Sequence, residues 1–313
     1  MKLPKEFLKS AKRCNYDVAL IQKARVSHLY IEKNNILSFY AGLGLKITAK
    51  KFSQGVKIKM LVEKGVKIRE PIFFCFGILE EKGRQIIIPE IVLEEGSEAE
   101  ILAHCTFPRA KNVFHKMKAK IKLEKGARLF YQEKHYHGEN FGAEVLPSFK
   151  VLIDKNASFE NEFVLNKGSV GKLKLFLEAE LGKEAFCEIS NRIVGKGQKD
   201  EIEVYDKILL IGENSRSLNR IKGVAANGGK IFFKGEAEAG EKAKNAQGHI
   251  DCQEIIIGNS IAQSVPIVRV KNPQARITHE ASVGKISQKE LETLMTRGLS
   301  EKEAVNFVIR GIV

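Results

Sequence analysis

The segment R-I-T-H-E-A-S-V-G (276–284) sets His279 beside Glu280, and Cys252 stands 28 residues before that glutamate, in H-I-D-C-Q-E-I-I-I-G. Converging on one patch, a thiol, an imidazole and a carboxylate can make a nucleophile with its base, or a metal site. They can equally do nothing: Cys252 can be a small buried hydrophobe within a strand, as free cysteines commonly are, with His279 and Glu280 on a solvated rung. An iron–sulfur cluster placed there would trade thiolate for imidazole or carboxylate, a harder and less matched ligand set that holds it loosely.

Whether any of this chemistry occurs depends on the elements that position the residues. The five cysteines (14, 75, 105, 187 and 252) are an odd, dispersed set without CxxC spacing. Neither a disulfide framework nor a local zinc or redox motif is expected, so a metal site needs the fold to assemble it. With 313 residues, 43% of them hydrophobic, the chain can build one large core or two ordinary domains and is too apolar for wholesale disorder. Its longest apolar run, I-F-F-C-F-G-I-L (72–79), is far short of the roughly 20 residues of a membrane span. The start of the chain has no signal-peptide core, so a cytoplasmic location without a membrane partner is expected. The net charge of +14 raises nucleic acid as a ligand, but lysines alternate with glutamates, as in K-G-E-A-E-A-G-E-K-A-K. That is the pattern of a solvated Lys/Glu surface, and with no tryptophan it fits a heat-adapted protein. Nucleic acid is therefore not the expected partner.

Glycine or asparagine recurs after an acidic residue or lysine, between alternating apolar stretches, at Gly96, Gly126, Asn156 and Asn214, the first three spaced by 30. Each unit holds short period-two runs of β-formers closed by a residue that tolerates positive φ, and helical periodicity is missing from about 56 to 286. A constant period near thirty favours a solenoid over the alternative, a β-sandwich. The expected fold is mainly β: a parallel β-helix with a small α/β N-terminal region and two short C-terminal helices. Residues 1–60 form the N-terminal mixed region, 61–286 the β-helix core and 287–313 the helical pair. The first end helix has Ser287 as N-cap, Glu290 in capping-box spacing and Gly298 as C-cap; the second repeats this with Ser300, Glu303 and Gly311. Residues one repeat apart fall in register on rungs roughly 4.8 Å apart, a description that Cys252 and Glu280 fit.

Four stretches carry a resemblance: I-G-E-N-S-R-S (211–217), N-A-Q-G-H-I-D-C-Q-E-I-I-I-G (245–258), H-E-A-S-V-G (279–284) and L-M-T-R-G-L-S-E-K-E-A (294–304). From Gly212 to Val313 the chain resembles the C-terminal part of the SufB/SufD family, the β-helical subunits of the SUF iron–sulfur cluster assembly machinery, and is closer to SufB. Upstream, H-C-T-F-P (104–108) is similar to that family's Gly-Cys-Thr-Ala-Pro segment. The match thins across 105–211, and little aligns before about residue 85.

The resemblance implies a scaffold, not itself an enzyme, that transiently holds an iron–sulfur cluster where two β-helix subunits meet. It implies Cys252 and Glu280 as ligands, His279 as an adjacent candidate, and Cys105 as the acceptor of sulfur passed along the solenoid interior toward Cys252. It implies a SufC-like ABC ATPase docked on the end helices through Leu294, Met295, Arg297, Gly298, Leu299 and Ala304, although such a pair can also simply cap a solenoid. No P-loop is legible, so nucleotide hydrolysis is assigned to the partner. Iron–sulfur acceptor proteins complete the partner set. The chain stops at Gly311-Ile312-Val313, where longer relatives continue, and so reads as a minimal form that pairs with itself through the C-terminal part of its β-helix.

One departure stands out. Where the family commonly shows Gln-Asn-Trp after A-R-L-F-Y, this chain has His135-Tyr136-His137, which reads as an exposed loop before Gly138 or, alternatively, an extra metal site. Cys14, Cys75 and Cys187 are assigned to packing. Two functions of other classes compete. A polyanion-binding solenoid would show a clustered basic stripe with aromatics. A Cys-His hydrolase built on Cys105 or Cys252 would need an oriented base and an oxyanion hole.

Overall fold

The computed structural model describes residues 3–23 and 25–312. Helices α1 (Lys5–Arg13) and α2 (Val18–Ile21) lead into β1 (His28–Glu32), β2 (Asn35–Tyr40), β3 (Leu45–Phe52), β4 (Gly55–Val62) and β5 (Ile72–Gly77). Longer strands follow: β6 (Lys82–Leu93), β7 (Glu98–Phe107), β8 (Asn112–Leu123), β9 (Arg128–His137), β10 (Ala143–Ile153), β11 (Ser158–Lys167) and β12 (Gly171–Leu181). The series continues with β13 (Phe186–Gly195), β14 (Glu201–Leu210), β15 (Arg216–Ala226), β16 (Lys230–Ala239), β17 (Gln247–Ile257), β18 (Ile261–Val270) and β19 (Arg276–Lys285). Helices α3 (Gln288–Met295) and α4 (Glu301–Ile312) close the described chain.

From β4 onward the chain alternates between two sheets. One has the order β19-β17-β15-β13-β11-β9-β7-β5-β1-β2, the other β18-β16-β14-β12-β10-β8-β6-β4-β3. Apart from the two N-terminal pairs β1–β2 and β3–β4, neighbours run parallel. That is the β-helix and excludes the sandwich, whose sheets are antiparallel. One turn of the solenoid takes 30 residues where Glu98 pairs with Arg128, 28 where Ser158 pairs with Phe186 and 31 where Arg216 pairs with Gln247.

The repeated turn explains this regularity. Gly65, Gly96, Gly126, Asn156, Glu184, Asn214 and Asn245 stack in one column with φ between +55° and +71°, a region open at low cost to glycine and asparagine. Each turn hydrogen-bonds to the next: Gly126 N–H donates to Lys155 O at 2.9 Å and Asn156 N–H to Lys183 O at 3.0 Å. Between the turns, alternate residues point inward and stack rung on rung, as in the column Leu123, Ile153, Leu181, Leu210, all at most 2% exposed. The outward positions carry Lys–Glu pairs about one turn apart, such as Lys64–Glu95, Lys183–Glu213 and Lys230–Glu201. These pairs are solvated and worth about 0–1 kcal/mol each, as expected for a mixed charged surface.

The run Ile72–Leu79 is continuous because β5 is covered on both sides. Ile72, Phe74 and Phe76 face the solenoid core, while Phe73 and Cys75 pack under Phe7, Ala11 and Tyr16 of the N-terminal region. Among the described residues, no helix is long and apolar enough to cross a membrane.

The end helices depart in part from their expected caps. Ser287 makes no side-chain cap hydrogen bond, and α4 runs through Gly311 instead of ending there. Gly298 does take a left-handed conformation at φ +95°. The second capping box forms: Ser300 N–H donates to Glu303 Oε2 at 2.9 Å, and Glu303 N–H to Ser300 Oγ at 3.4 Å. Replacing Ser300 with alanine is expected to weaken α4 by about 1 kcal/mol, read as roughly fivefold faster amide exchange in its first turn; unchanged exchange would show that the cap does not hold the helix.

Candidate functional site

The C-terminal end of the solenoid is open. β18 and β19 are each the last strand of their sheet, and most of Arg276–Lys285 is exposed. Their outer backbone edges are a template for another strand. Cys252 lies one rung below, 1% exposed, and burial pushes its thiol up to about 11.

Its register corrects the expected pairing. Cys252 stands opposite Ala281, and Glu280 opposite Asp251. A one-residue offset exchanges the faces of a strand, so Glu280 projects outward, away from the cysteine. His279, opposite Ile250, lies on the inward-facing side of β19 that Cys252 faces. The carboxylate sharing Cys252's face is Glu254, two residues along β17 and 2% exposed. Among the described residues neither of its oxygens has a hydrogen-bond partner, and burial raises it to about 7. Counting by two from Cys252 would have found it.

The second locus lies wholly inside. Cys105 on β7 is 0% exposed and Glu133 on β9 1%; the Cys105 thiol donates to Glu133 Oε1 at 3.5 Å. His135 Nε2 sits 2.6 Å from the same oxygen, and Tyr131 Oη donates to Glu133 Oε2 at 3.1 Å. Here too a sequence expectation fails: His135 and His137 are not in an exposed loop but buried in β9. From Tyr131, period two turns Glu133, His135 and His137 inward, where Phe107 packs 5.1 Å from the His137 ring and Phe163 4.8 Å from the His135 ring. Burial, and then the negative charge of Glu133, push the Cys105 thiol far above its usual range. In this state it is a protonated thiol, not the thiolate that attacks sulfur or binds metal.

Cys105 and Cys252 are separated by five strand spacings along one sheet, about 24 Å. The inward positions between them mix polar Asn161, Asn191, Asp206 and Asn219 with apolar Phe163, Ile189 and Ile221. Cys14, Cys75 and Cys187 are also free and buried, among apolar neighbours.

Comparison with known proteins adds the chemistry this architecture serves. Residues 82–312 match the family model described as SUF system FeS cluster assembly, SufBD core domain. The chain belongs to the SufBD family. It is 38% identical to an iron–sulfur cluster assembly SufBD family protein of Methanocaldococcus jannaschii, over 91% of this chain and 89% of that one. With a family member from Pyrococcus horikoshii it shares 33% identity, over 92% and 87%. SufB of Bacillus subtilis is 28% identical over 80% of this chain, a match spanning 54% of SufB, so the chain is a short form beside it. The SufBD core begins at the first residue of β6, which leaves α1, α2 and β1–β5 outside the matched region.

The end-helix segment is exposed over much of its length among the described residues. Met295, Arg297 and Gly298 are exposed, and Leu294 and Leu299 half-buried. Ala304, by contrast, is 0% exposed; it packs inside and presents nothing to a partner.

Proposed function

We propose that this SufBD family protein is a cytoplasmic scaffold on which an iron–sulfur cluster is assembled at the open end of the solenoid. The observation that carries it is the placement of Cys252, Glu254 and the inward side of His279 together, one rung from two unpaired sheet edges. A second copy joined through β18 and β19 would enclose these side chains between two β-helix ends. Thiol, carboxylate and imidazole donors from both copies then form a mixed set that holds the cluster weakly enough to pass it to acceptor proteins. Glu280, on the outer side of the same rung, enters such a site only if pairing brings the outer faces together.

Sulfur enters at Cys105 once its proton has moved to Glu133. The thiolate attacks the terminal sulfur of a persulfide R–S–SH, that S–S bond breaks, R–S⁻ leaves, and Cys105 carries the new –S–SH. The exposed surface of α3 and the turn after it, with Met295, Arg297 and Gly298, is the docking surface for a SufC-like ATPase, which supplies the nucleotide hydrolysis.

Anaerobic reconstitution with iron and sulfide tests the reading. The wild type is expected to gain thiolate-to-iron charge-transfer absorption and bound iron, both falling to background in Cys252→Ala and by at least half in Glu254→Gln and His279→Ala. A folded wild type that takes up no iron, alone or with the ATPase, overturns the scaffold. Loss in Glu280→Ala with retention in Glu254→Gln would restore the outward carboxylate as the ligand.

A further inference from the structure

The buried cluster around Cys105 has a composition that sulfur acceptance does not require. Cys105 Sγ, a Glu133 carboxylate oxygen and a His135 ring nitrogen all lie within 4.8 Å of one another, with all three residues buried. They come from neighbouring rungs: Cys105 stands opposite His135, and Ala103 opposite Glu133. From this geometry we propose that Cys105, Glu133 and His135 bind a single divalent transition-metal ion of the Fe²⁺ or Zn²⁺ class inside the solenoid, separate from the open end.

Distance is the first argument. Metal–sulfur and metal–oxygen bonds of zinc-like length, at a tetrahedral angle, hold their donor atoms about 3.5 Å apart. Cys105 Sγ and Glu133 Oε1 are already 3.5 Å apart. His135 Nε2 and Glu133 Oε1, at 2.6 Å, are closed around a shared proton and must open by less than about 1 Å to admit an ion.

Charge is the second. A carboxylate buried away from water costs several kcal/mol unless it is paired, and the groups that contact Glu133 are a thiol, a phenol and an imidazole. One divalent ion with one thiolate, one carboxylate and one neutral imidazole sums to zero charge, the arrangement that burial penalises least. Binding releases the thiol proton and the proton shared by Glu133 and His135.

The surrounding shell fits a ligand histidine. His137 Nε2 lies 3.4 Å from His135 Nδ1, placed to accept its N–H and aim the Nε2 lone pair at the ion, as outer groups do in histidine metal sites. Among the described residues, His137 Nδ1 is itself buried without a partner. Phe107 and Phe163 close the apolar wall. On the outer face of the sheet a cleft of about 230 Å³, lined by Cys14, Lys134, Glu162 and Arg192, borders His135, whose side chain stays buried on the inner face. A thiolate, a carboxylate and an imidazole suit iron or zinc better than magnesium or calcium.

The proposal shares Cys105 with the sulfur-acceptor reading but does not rest on it, and its test uses no sulfide. Full-length protein, stripped with chelator and kept reduced, is titrated with Co²⁺ and then competed with Zn²⁺ and, anaerobically, Fe²⁺. The expected result is one ion per chain with a thiolate-to-cobalt charge-transfer band. Cys105→Ser should abolish that band. His135→Gln and Glu133→Gln should weaken binding at least about 100-fold, the upper end of what losing an outer-shell partner alone costs. Cys187→Ala should keep the band. Displacement by Zn²⁺ alone, or by Fe²⁺ as well, identifies the preferred ion. Absence of the band in the wild type overturns the proposal, as does an undiminished band in Cys105→Ser or His135→Gln variants whose circular dichroism matches the wild type.

Discussion

Gly168→Ala is expected to destabilise the protein by roughly 4 kcal/mol or more, while Gly65→Ala, at an equally left-handed turn, costs only about 1–2 kcal/mol. Gly65 has φ +71° with nothing within 4 Å of an added Cβ; Gly168 has φ +81°, and its Cβ would fall 1.6 Å from the His137 carbonyl oxygen. Gly65→Ala incurs only the intrinsic conformational cost. Gly168→Ala also forces the turn after β11 off the end of β9. There Ser169 N–H donates to Gly138 O at 3.0 Å, so the shift moves His137 and, through it, the ring of His135. Urea unfolding of the two variants measures the contrast. Equal costs would mean that the rungs slide past each other freely and that β9 is not clamped at this end. If the clamp is real, the same variant also weakens cobalt binding at Cys105, because the buried cluster takes its geometry from the end of β9.

That coupling shows which part of the molecule was legible in its residues. Gly96, Gly126, Asn156 and Asn214 announced the solenoid because a left-handed turn on every rung leaves glycine and asparagine as the low-cost residues; Glu184, which occupies the same conformation, carries no such signal. The interval between Cys252 and Glu280 misled for the opposite reason. Turns on the other side of the solenoid vary in length, the period moves between 28 and 31, and a one-residue difference decides whether a side chain faces the core or water.

The run Q-E-K-H-Y-H (132–137) is polar throughout and so resembled a loop, since alternation is visible only when one face is apolar. Here the inward face is polar as well. Cys105, Glu133, His135 and His137 form a chain of polar contacts that no linear pattern displays. Parity from Tyr131 was the available clue, and the same parity from Ile250 leads to Cys252 and Glu254. The SufBD resemblance pointed to both cysteines and, beside Cys252, to Glu280 and His279; the inward neighbours Glu254, Glu133 and His135 follow instead from rung register.

The interior carboxylate between the two loci has a measurable cost. Asp206 on β14 is 0% exposed, and burial raises it to about 7, a rise only partly offset by the side-chain amides of Asn219 and of Asn191, the latter donating to its Oδ2 at 2.7 Å. An acid whose value is higher folded than unfolded holds its proton in the native state while the unfolded chain has lost it. Its contribution is therefore neutral below about pH 4 and grows increasingly unfavourable up to about pH 7. Above that it stays constant, at about 1.4 kcal/mol for each pH unit separating the folded and unfolded values and so roughly 4 kcal/mol in full. Asp206→Asn keeps the volume and an acceptor for Asn191 but cannot ionise. The variant is expected to be more stable than the wild type by about 2–4 kcal/mol at pH 8, a difference that shrinks to about 1.5 kcal/mol or less at pH 5 and vanishes below about pH 4. Denaturant unfolding across that range isolates the effect, because every other group titrates alike in both proteins. Parallel curves would mean that the carboxylate is solvated or paired in the native state. A diverging pair would instead show that the solenoid keeps a titrating group between Cys105 and Cys252 at a cost in stability, the pattern expected where an interior serves passage or ligand binding more than packing.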